Sequence, residues 1–210
     1  MCQFKSALVL QDKIYCPLDE DSHEKMIHAL GLRDDQQFRA PAFVRVEMTP
    51  NDDDIFNHDL ANWTLRVDQD NAPEWFDKKE VWEKCKPYLK DVFDQRFIIN
   101  DKTWQRRVGQ RLFIKNSNVK TFNSSVVAWG NSSVVAWENS SVVARENSSV
   151  EAWENSSVEA RENSSVVIPY STSIKIKDIQ DNATVKDLSG GKLIIYVANK
   201  DIELKQFKKL

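Results

Sequence analysis

Tryptophan and arginine side chains recur at one position of a tandem repeat in the second half of the chain. Trp129, Trp137, Arg145, Trp153 and Arg161 follow one another at intervals of eight residues. These residue types often dominate binding at protein interfaces, and exposed indole rings can also hold sugars. The five side chains are therefore candidate binding residues. The alternative is intramolecular packing of rings and guanidinium groups on one another, with cation–π contacts of about 0.5–1 kcal/mol.

A second group of candidate residues precedes the repeats and is basic. Arg106, Arg107 and Arg111 lie between Lys102 and Lys115. Clustered cations bind phosphate groups, so the three arginines are candidate phosphate ligands. Such a stretch is also typical of a solvated surface, or of a seam that pairs with an acidic domain. Because the net charge of the whole chain is −3, without a basic excess, we expect no nucleic-acid partner.

The histidines offer little for metal binding. His23 and His28 are five residues apart in a predicted helix, a poor spacing for one shared ion. His58 lies in an acidic region that could bind a hard cation, with Asp52, Asp53, Asp54 and Asp59. A solvated turn beside an ordinary surface histidine explains the same pattern.

Acidic residues that an enzyme could use lie outside the repeats. They are Glu47, Asp68 and Asp70, which turn and surface positions explain equally well. The chain contains no phosphate-binding glycine loop, HExxH motif or nucleophile elbow. Acyltransferases built on solenoids repeat every six residues and use a catalytic histidine, whereas this period is eight and every histidine precedes the repeats. We therefore expect no catalytic residue, no metal and no cofactor.

Six tandem octapeptides form the repeat. From Asn123 they read NSSVVAWG, NSSVVAWE, NSSVVARE, NSSVEAWE, NSSVEARE and NSSVVIPY. The Asn, both Ser and the first Val are invariant, whereas position five is Val or Glu and position seven is Trp, Arg or Pro. Successive side chains of a strand point to opposite faces. The fourth and sixth positions, Val and Ala, are thus predicted to face inward, and the fifth and seventh to face solvent.

This pattern predicts a parallel β-solenoid. The Asn-Ser-Ser triplet disfavours helix interiors, and one octapeptide cannot bury its apolar face unless it stacks on others. One Val and one Ala per octapeptide give little core volume, which favours two octapeptides per coil over three. Such a coil places Trp137 and Trp153 on one outer face and the row of Trp129, Arg145 and Arg161 on the other. Corner Asn and Ser side chains are expected to form ladders.

The remaining sequence divides the chain into four parts. Residues 1–100 are predicted to be a mixed α/β capping domain, with strands over 4–10, 13–16, 43–48 and 63–67 and helices over 21–30 and 79–93. Residues 101–115 form a basic junction, 116–188 the solenoid with degenerate repeats at its ends, and 189–210 a C-terminal cap and basic tail. Closing strands are predicted over 192–198 and 201–204.

The composition is that of an ordinary soluble protein: 210 residues, 41% hydrophobic and 29% charged. No apolar run approaches the roughly 20 residues that span a membrane, and the N-terminus lacks the apolar core of a signal peptide. Cys2, Cys16 and Cys85 form no CxxC pair, which indicates a reducing compartment. We expect a cytoplasmic protein without membrane contact.

The octapeptide Asn-Ser-Ser-Val-x-Ala-Trp/Arg-Gly/Glu resembles the Gly/Asp-Asn-Ser/Ala-Thr/Ser-Val-x-Ala repeats of bacterial and bacteriophage β-solenoid (β-helix) proteins of unassigned role. Residues 22–32, 43–50 and 63–76 are similar to the leading segments of such proteins. The resemblance implies a bacterial or phage origin, in the host cell or associated with the virion. It carries over no catalytic residue.

Two classes of function fit these observations. The first is a non-enzymatic structural or interaction protein, a phage or bacterial accessory protein that binds a protein partner or a second copy of itself. The second is a carbohydrate-binding or carbohydrate-active solenoid that uses the outer Trp row. Ice binding is disfavoured because it needs a regular row of Thr, which the outer positions lack.

Overall fold

The computed structural model describes residues 4–33, 41–169, 173–189 and 193–198. The chain divides into two compact units, residues 1–95 and 96–210. The first contains an antiparallel sheet and helices, and the second is a parallel β-solenoid of about six turns over residues 97–187. The predicted fold class, an α+β region followed by a solenoid, is confirmed. Among the described helices, none has the length and apolar character needed to cross a bilayer.

The N-terminal unit is built on a four-stranded antiparallel sheet with the order β2-β1-β3-β4. Its strands are β1 (Lys5–Leu10), β2 (Ile14–Tyr15), β3 (Phe43–Pro50) and β4 (Trp63–Val67). Its helices are α1 (His23–Ala29), α2 (Lys78–Arg96) and a short 3-10 helix, Leu60–Asn62. Each predicted strand and helix of this region is present. Pro87 lies inside α2 without ending it.

A buried lysine fixes the loop that leads into α1. Lys5 is 1% exposed, and its Nζ donates to Pro17 O (2.5 Å), Glu20 O (2.9 Å) and Asp21 Oδ1 (2.7 Å). Three acceptors match the three ammonium protons, so the buried charge is fully hydrogen-bonded. Ser22 then begins the helix by accepting a hydrogen bond from the backbone of its first turn.

The strands of the solenoid alternate between two sheets. The odd sheet contains β5 (Phe97–Ile99), β7 (Arg111–Lys115), β9 (Ser125–Trp129), β11 (Ser141–Ala144), β13 (Ser157–Ala160) and β15 (Lys175–Ile179). The even sheet contains β6 (Gln105–Val108), β8 (Asn118–Phe122), β10 (Ser133–Trp137), β12 (Ser149–Ala152), β14 (Ser165–Ile168) and β16 (Thr184–Asp187). An antiparallel strand, β17 (Ile194–Val197), pairs with β16. The predicted strand at 201–204 lies outside the described residues.

Two octapeptides make one coil, as the small core volume predicted. Val134 pairs with Val150 in the even sheet, and Val142 pairs with Val158 in the odd sheet, an offset of sixteen residues in each case. The fourth and sixth positions fill the interior. The six invariant valines are 0–3% exposed and the five alanines are fully buried (Val126, Val134, Val142, Val150, Val158, Val166; Ala128, Ala136, Ala144, Ala152, Ala160).

The solenoid begins before the recognisable repeats. Phe97 pairs with Phe113, and Leu112 pairs with Val126, in the parallel register of the later coils. Residues 101–115, expected to be a junction, therefore lie within the solenoid, which starts at residue 97 rather than 116. The period is hidden there because larger side chains, such as Leu112 and Ile114, occupy the inward positions.

The predicted serine ladder is present at the corners. The first serine of each triplet and its counterpart Ser117 are 0–4% exposed (Ser117, Ser124, Ser132, Ser140, Ser148, Ser156, Ser164). Ser124 N donates to Ser140 Oγ in the next coil at 3.3 Å, and Ser140 Oγ donates to Trp137 O at 2.7 Å. The serine hydroxyl groups thus form hydrogen bonds with backbone groups that have no partner in the sheets because the chain turns there.

The eighth position turns each corner in the left-handed backbone region. Glu138, Glu146, Glu154 and Glu162 have φ values of 52–60°, which cost a non-glycine residue about 1–2 kcal/mol. A hydrogen bond offsets this strain. Glu146 Oε2 accepts from Gly130 N at 2.8 Å, and Glu162 Oε2 accepts from Glu146 N at 2.7 Å. Glu154 likewise accepts from Glu138 N at 2.8 Å, whereas Glu138 accepts from the side-chain amide of Asn123.

At Gly130, where the next four octapeptides carry glutamate, a side chain would clash with the neighbouring coil. A Cβ atom there would lie 2.2 Å from Asn116 Oδ1. That oxygen already accepts a hydrogen bond from Asn131 N at 3.0 Å, so it cannot move away without losing this contact. The coil beneath it therefore favours glycine, and glycine also adopts the φ of 63° without the strain that the corner glutamates carry.

Substitutions at Glu146 separate the two opposing effects at the corner. Glu146→Ala keeps the strain and removes the acceptor, and we expect it to lower the free energy of unfolding by about 1–3 kcal/mol. Glu146→Gln keeps an acceptor and should stay within about 1 kcal/mol of the parent, while Glu146→Gly should be less destabilising than alanine because it relieves strain. Chemical denaturation of the three variants measures this order. An alanine variant as stable as the parent would contradict the role of the carboxylate.

Candidate functional site

An aromatic row runs along the outer face of the even sheet, as predicted for Trp137 and Trp153. Trp137 pairs in register with Phe122, and their rings stack with centroids 4.9 Å apart and planes 8° from parallel. Trp153 N donates to Ala136 O at 2.8 Å, which places Trp153 one coil further along. We call Phe122, Trp137 and Trp153 the aromatic row. Phe122 was not predicted, although it ends a shortened repeat at the tryptophan position.

Cations and exposed apolar groups lie at the start of this face. The guanidinium carbon of Arg106 is 4.6 Å from the centroid of the Phe122 ring, and Lys120 Nζ is 5.7 Å from that of Trp104. Trp104 is 47% exposed and Val108 is 48% exposed. The even face therefore combines aromatic rings and an arginine, which are enriched at protein interfaces, with an exposed valine and a lysine.

The outer face of the odd sheet carries the row of Trp129, Arg145 and Arg161. The Trp129 ring lies between Phe113, at 6.3 Å between centroids, and the Arg145 guanidinium carbon, at 5.8 Å from the Trp129 centroid. Arg161 directly follows β13 and forms an ion pair with Glu159, which lies within that strand. On this face the predicted intramolecular contacts are present, and both arginines have partners within the solenoid.

The structure does not bring the predicted phosphate ligands together. Arg106 points outward from the even sheet and Arg111 outward from the odd sheet, where its guanidinium carbon is 5.3 Å from the Phe113 ring centroid. Arg107 pairs in register with the fully buried Thr121, which places it at an inward position, and it donates to Gln105 Oε1. The three arginines therefore point in three different directions from the solenoid and do not converge on one phosphate site.

The acidic residues near His58 build turns. Their carboxylates accept hydrogen bonds from nearby backbone and amide groups: Asp52 from Asn62, Asp54 from Phe56 and Asp59 from Ala61. The His58 ring stacks on Phe93, with centroids 4.0 Å apart. Burial lowers the pKa of His58, while the negative charges of Asp94 and Asp54 oppose this effect. These contacts support the interpretation of the acidic residues as a turn, whereas His58 is half-buried against Phe93 rather than an ordinary surface histidine.

Three potential metal ligands converge elsewhere in the N-terminal unit. His23 is the first residue of α1, Glu47 lies on β3, and Asp68 follows β4. One ligand atom from each lies within 4.8 Å of the other two, and no other such group of three occurs among the residues that the structure describes. The sequence singled out Glu47 and Asp68 but did not connect them with His23, because the cluster forms only when three separate elements pack.

Cys85 is not a nucleophile at neutral pH. Its side chain is fully buried, and desolvation, followed by the nearby Cys16, raises the pKa of the thiol to about 12. A reactive cysteine needs the thiolate form and access to solvent. Cys85 is therefore a packing residue in the core of the N-terminal unit.

The perturbed histidine gives a pH dependence of stability. Because the folded state lowers the pKa of His58 below its ordinary value of 6.5, the unfolded chain binds its proton first as the pH falls. The contribution of His58 is fully present above pH 6.5 and declines below it. Relative to His58→Phe, which keeps a ring against Phe93, the parent should lose stability between neutral pH and pH 5. Parallel stability curves for the two proteins would refute this.

Comparisons of the chain with protein-family models, with curated proteins and with solved structures gave no match.

Proposed function

We propose that this chain is a non-enzymatic interaction protein that binds a protein partner through the even face of its solenoid. The observation that carries the proposal is the aromatic row, in which rings from successive coils align beside exposed apolar groups and cations. Tryptophan and arginine are the residue types most enriched among binding hot spots. The complementary partner presents an apolar surface with acidic groups at its edge.

The rigidity of the solenoid favours binding. Ordering side chains at an interface costs about 0.5–1.5 kcal/mol for each flexible group. Phe122 and Trp137 are already stacked, and Trp153 Nε1 donates to Glu151 Oε1 at 3.0 Å. A partner would therefore meet a surface whose large side chains are fixed before it arrives.

The even face is favoured over the odd face because its apolar groups remain exposed. On the odd face the Trp129 ring lies between Phe113 and Arg145, and Arg161 is paired with Glu159. On the even face, Trp104 and Val108 are each about half exposed. Exposed apolar groups rimmed by polar ones are typical of interaction sites.

Carbohydrate binding is the second candidate, since a tryptophan row is also a feature of sugar-binding surfaces. Sugars stack on the flat face of an aromatic ring. The rings of Phe122 and Trp137 are 8° from parallel and each covers one face of the other, and the Arg106 guanidinium lies over the Phe122 ring. These contacts reduce the flat ring surface that a pyranose could stack on, which favours a protein partner.

The wider role is inferred from the resemblance of the repeats. We propose a phage or bacterial accessory protein, located in the host cytoplasm or on the virion, without an activity of its own. Assembly with a second copy is an alternative use of the same face, and the experiment below separates it from a different partner.

Paired substitutions on the two faces test the proposal. The tagged chain captures its partner from the source cell, and the identified partner is then titrated against purified variants. Trp137→Thr/Trp153→Thr should weaken binding more than about tenfold, because tryptophan hot spots contribute about 2 kcal/mol or more. Trp129→Thr/Arg145→Thr on the odd face is the matched control and should bind within about threefold of the parent.

Three outcomes would contradict the proposal. Equal binding by both double variants excludes the even face, and retention of a glycan in place of a protein supports the carbohydrate alternative. If sedimentation detects only a complex of the chain with itself, and this complex is lost in the even-face variant, the result identifies a second copy of the chain as the partner. Thermal unfolding of each variant establishes that lost binding reflects the surface rather than the fold.

A further inference from the structure

We propose that His23, Glu47 and Asp68 bind one divalent transition-metal ion in the N-terminal unit. One imidazole nitrogen and one carboxylate oxygen of each acid lie within 4.8 Å of one another, and Nδ1 is the nitrogen that faces Asp68. Ligand atoms on a common metal are about 3–4 Å apart, given bonds of about 2.0–2.2 Å. Small side-chain rotations complete the site. This inference does not depend on the proposed function of the solenoid.

The hydrogen bond on the far side of the imidazole ring determines which nitrogen faces the acids. His23 Nε2 is 3.1 Å from the carbonyl oxygen of Val46. A carbonyl oxygen only accepts, so Nε2–H donates to it, and Nδ1 is the ring nitrogen that faces Asp68. Metal-binding histidines typically donate their other N–H to a backbone carbonyl or carboxylate in this way.

The near side of the ring places a nitrogen atom against a carboxylate. His23 Nδ1 lies 3.2 Å from Asp68 Oδ2. A nitrogen lone pair and a carboxylate oxygen repel at this distance unless a proton or a metal ion lies between them. A proton bridges only this pair, whereas a metal ion also engages Glu47 and balances both carboxylates.

Burial and access fit a metal site that remains partly open. His23 is 7% exposed, while the Asp68 side chain is 56% exposed. An ion can therefore enter from the Asp68 side and bind the ordered imidazole behind it. Three protein ligands leave further positions for water. Imidazole combined with carboxylates suits zinc, manganese and cobalt better than calcium or magnesium, which prefer oxygen alone.

The surrounding structure holds the three ligands in place. The Lys5 contacts fix the loop before α1, and Ser22 caps the helix at the residue preceding His23. Glu47 is placed by the register of β3 with β1 and β4, and Asp68 N donates to Arg45 O at 2.9 Å. Arg66 lies opposite Glu47 in the register.

Cobalt and zinc titrations of the full chain test the site. The parent should bind one Co²⁺ per chain, with visible d–d absorption and no thiolate-to-cobalt charge-transfer band, and Zn²⁺ should displace it. Asp68→Asn and Glu47→Gln should each weaken affinity about tenfold or more. Asp68 is exposed, so its variant tests the site without disturbing the core. Asp70→Asn removes a nearby acid outside the cluster and should bind as the parent does.

Nuclear magnetic resonance identifies the ligand nitrogen directly. Zn²⁺ should shift the His23 Nδ1 resonance while Nε2 keeps its proton. The proposal is overturned if the parent binds Co²⁺ no better than Asp68→Asn, or if Asp70→Asn loses as much affinity. It is also overturned if a charge-transfer band assigns the ion to cysteine. A negative result in the metal titrations does not change the result expected for the partner titrations with even-face variants. The metal site and the binding face can therefore be refuted independently.

Discussion

Packing of valine and alanine between two facing sheets determines the remainder of the solenoid. Each coil contributes two Val and two Ala to a shared interior, and the inward side chains of successive coils stack in register about 4.8 Å apart. A slip of one residue would turn every inward side chain to solvent. The invariant positions of the repeat therefore fix the register, and the register fixes which outer side chains become neighbours.

The outer faces follow from this core. Because one coil contains sixteen residues, the seventh position of each octapeptide lies beside the seventh position of the octapeptide two further along. The repeat alone therefore brings rings and guanidinium groups into contact. At the corners the same offset brings Glu146 to the N–H of Gly130 and Ser140 to that of Ser124. The free energy that the left-handed backbone conformation costs is similar in size to the free energy gained from the carboxylate hydrogen bond. This balance explains why glutamate is tolerated at a position that usually favours glycine.

The parts of the structure that could be predicted are those in which one residue type repeats. The invariant valines indicated the inner face, and their small volume indicated the flat coil. The first coil could not be recognised, because Leu112 and Ile114 fill the interior with different side chains. The separation of Arg106 from Arg107 could have been foreseen, since adjacent residues of a strand point to opposite faces.

The convergence of His23, Glu47 and Asp68 could not have been foreseen from the sequence. These residues are far apart in the chain, and their proximity depends on how α1 packs beside β3 and β4. No local spacing encodes that arrangement. By contrast, the Trp137 and Trp153 row required only the period of the repeat and the number of octapeptides in a coil. Local patterns thus determine the solenoid surface, whereas tertiary packing determines the cluster.

Cross-linking of engineered cysteines tests the register of the coil most directly. In a background whose native cysteines are replaced by alanine, Ser133→Cys/Ser149→Cys places two outward residues side by side in adjacent coils. Ser133→Cys/Ser157→Cys joins positions that would be neighbours only if three octapeptides formed a coil. Disulfides need Cα atoms within about 7 Å. The two-octapeptide coil predicts rapid oxidation of the first pair alone, and rapid oxidation of the second pair alone would contradict it.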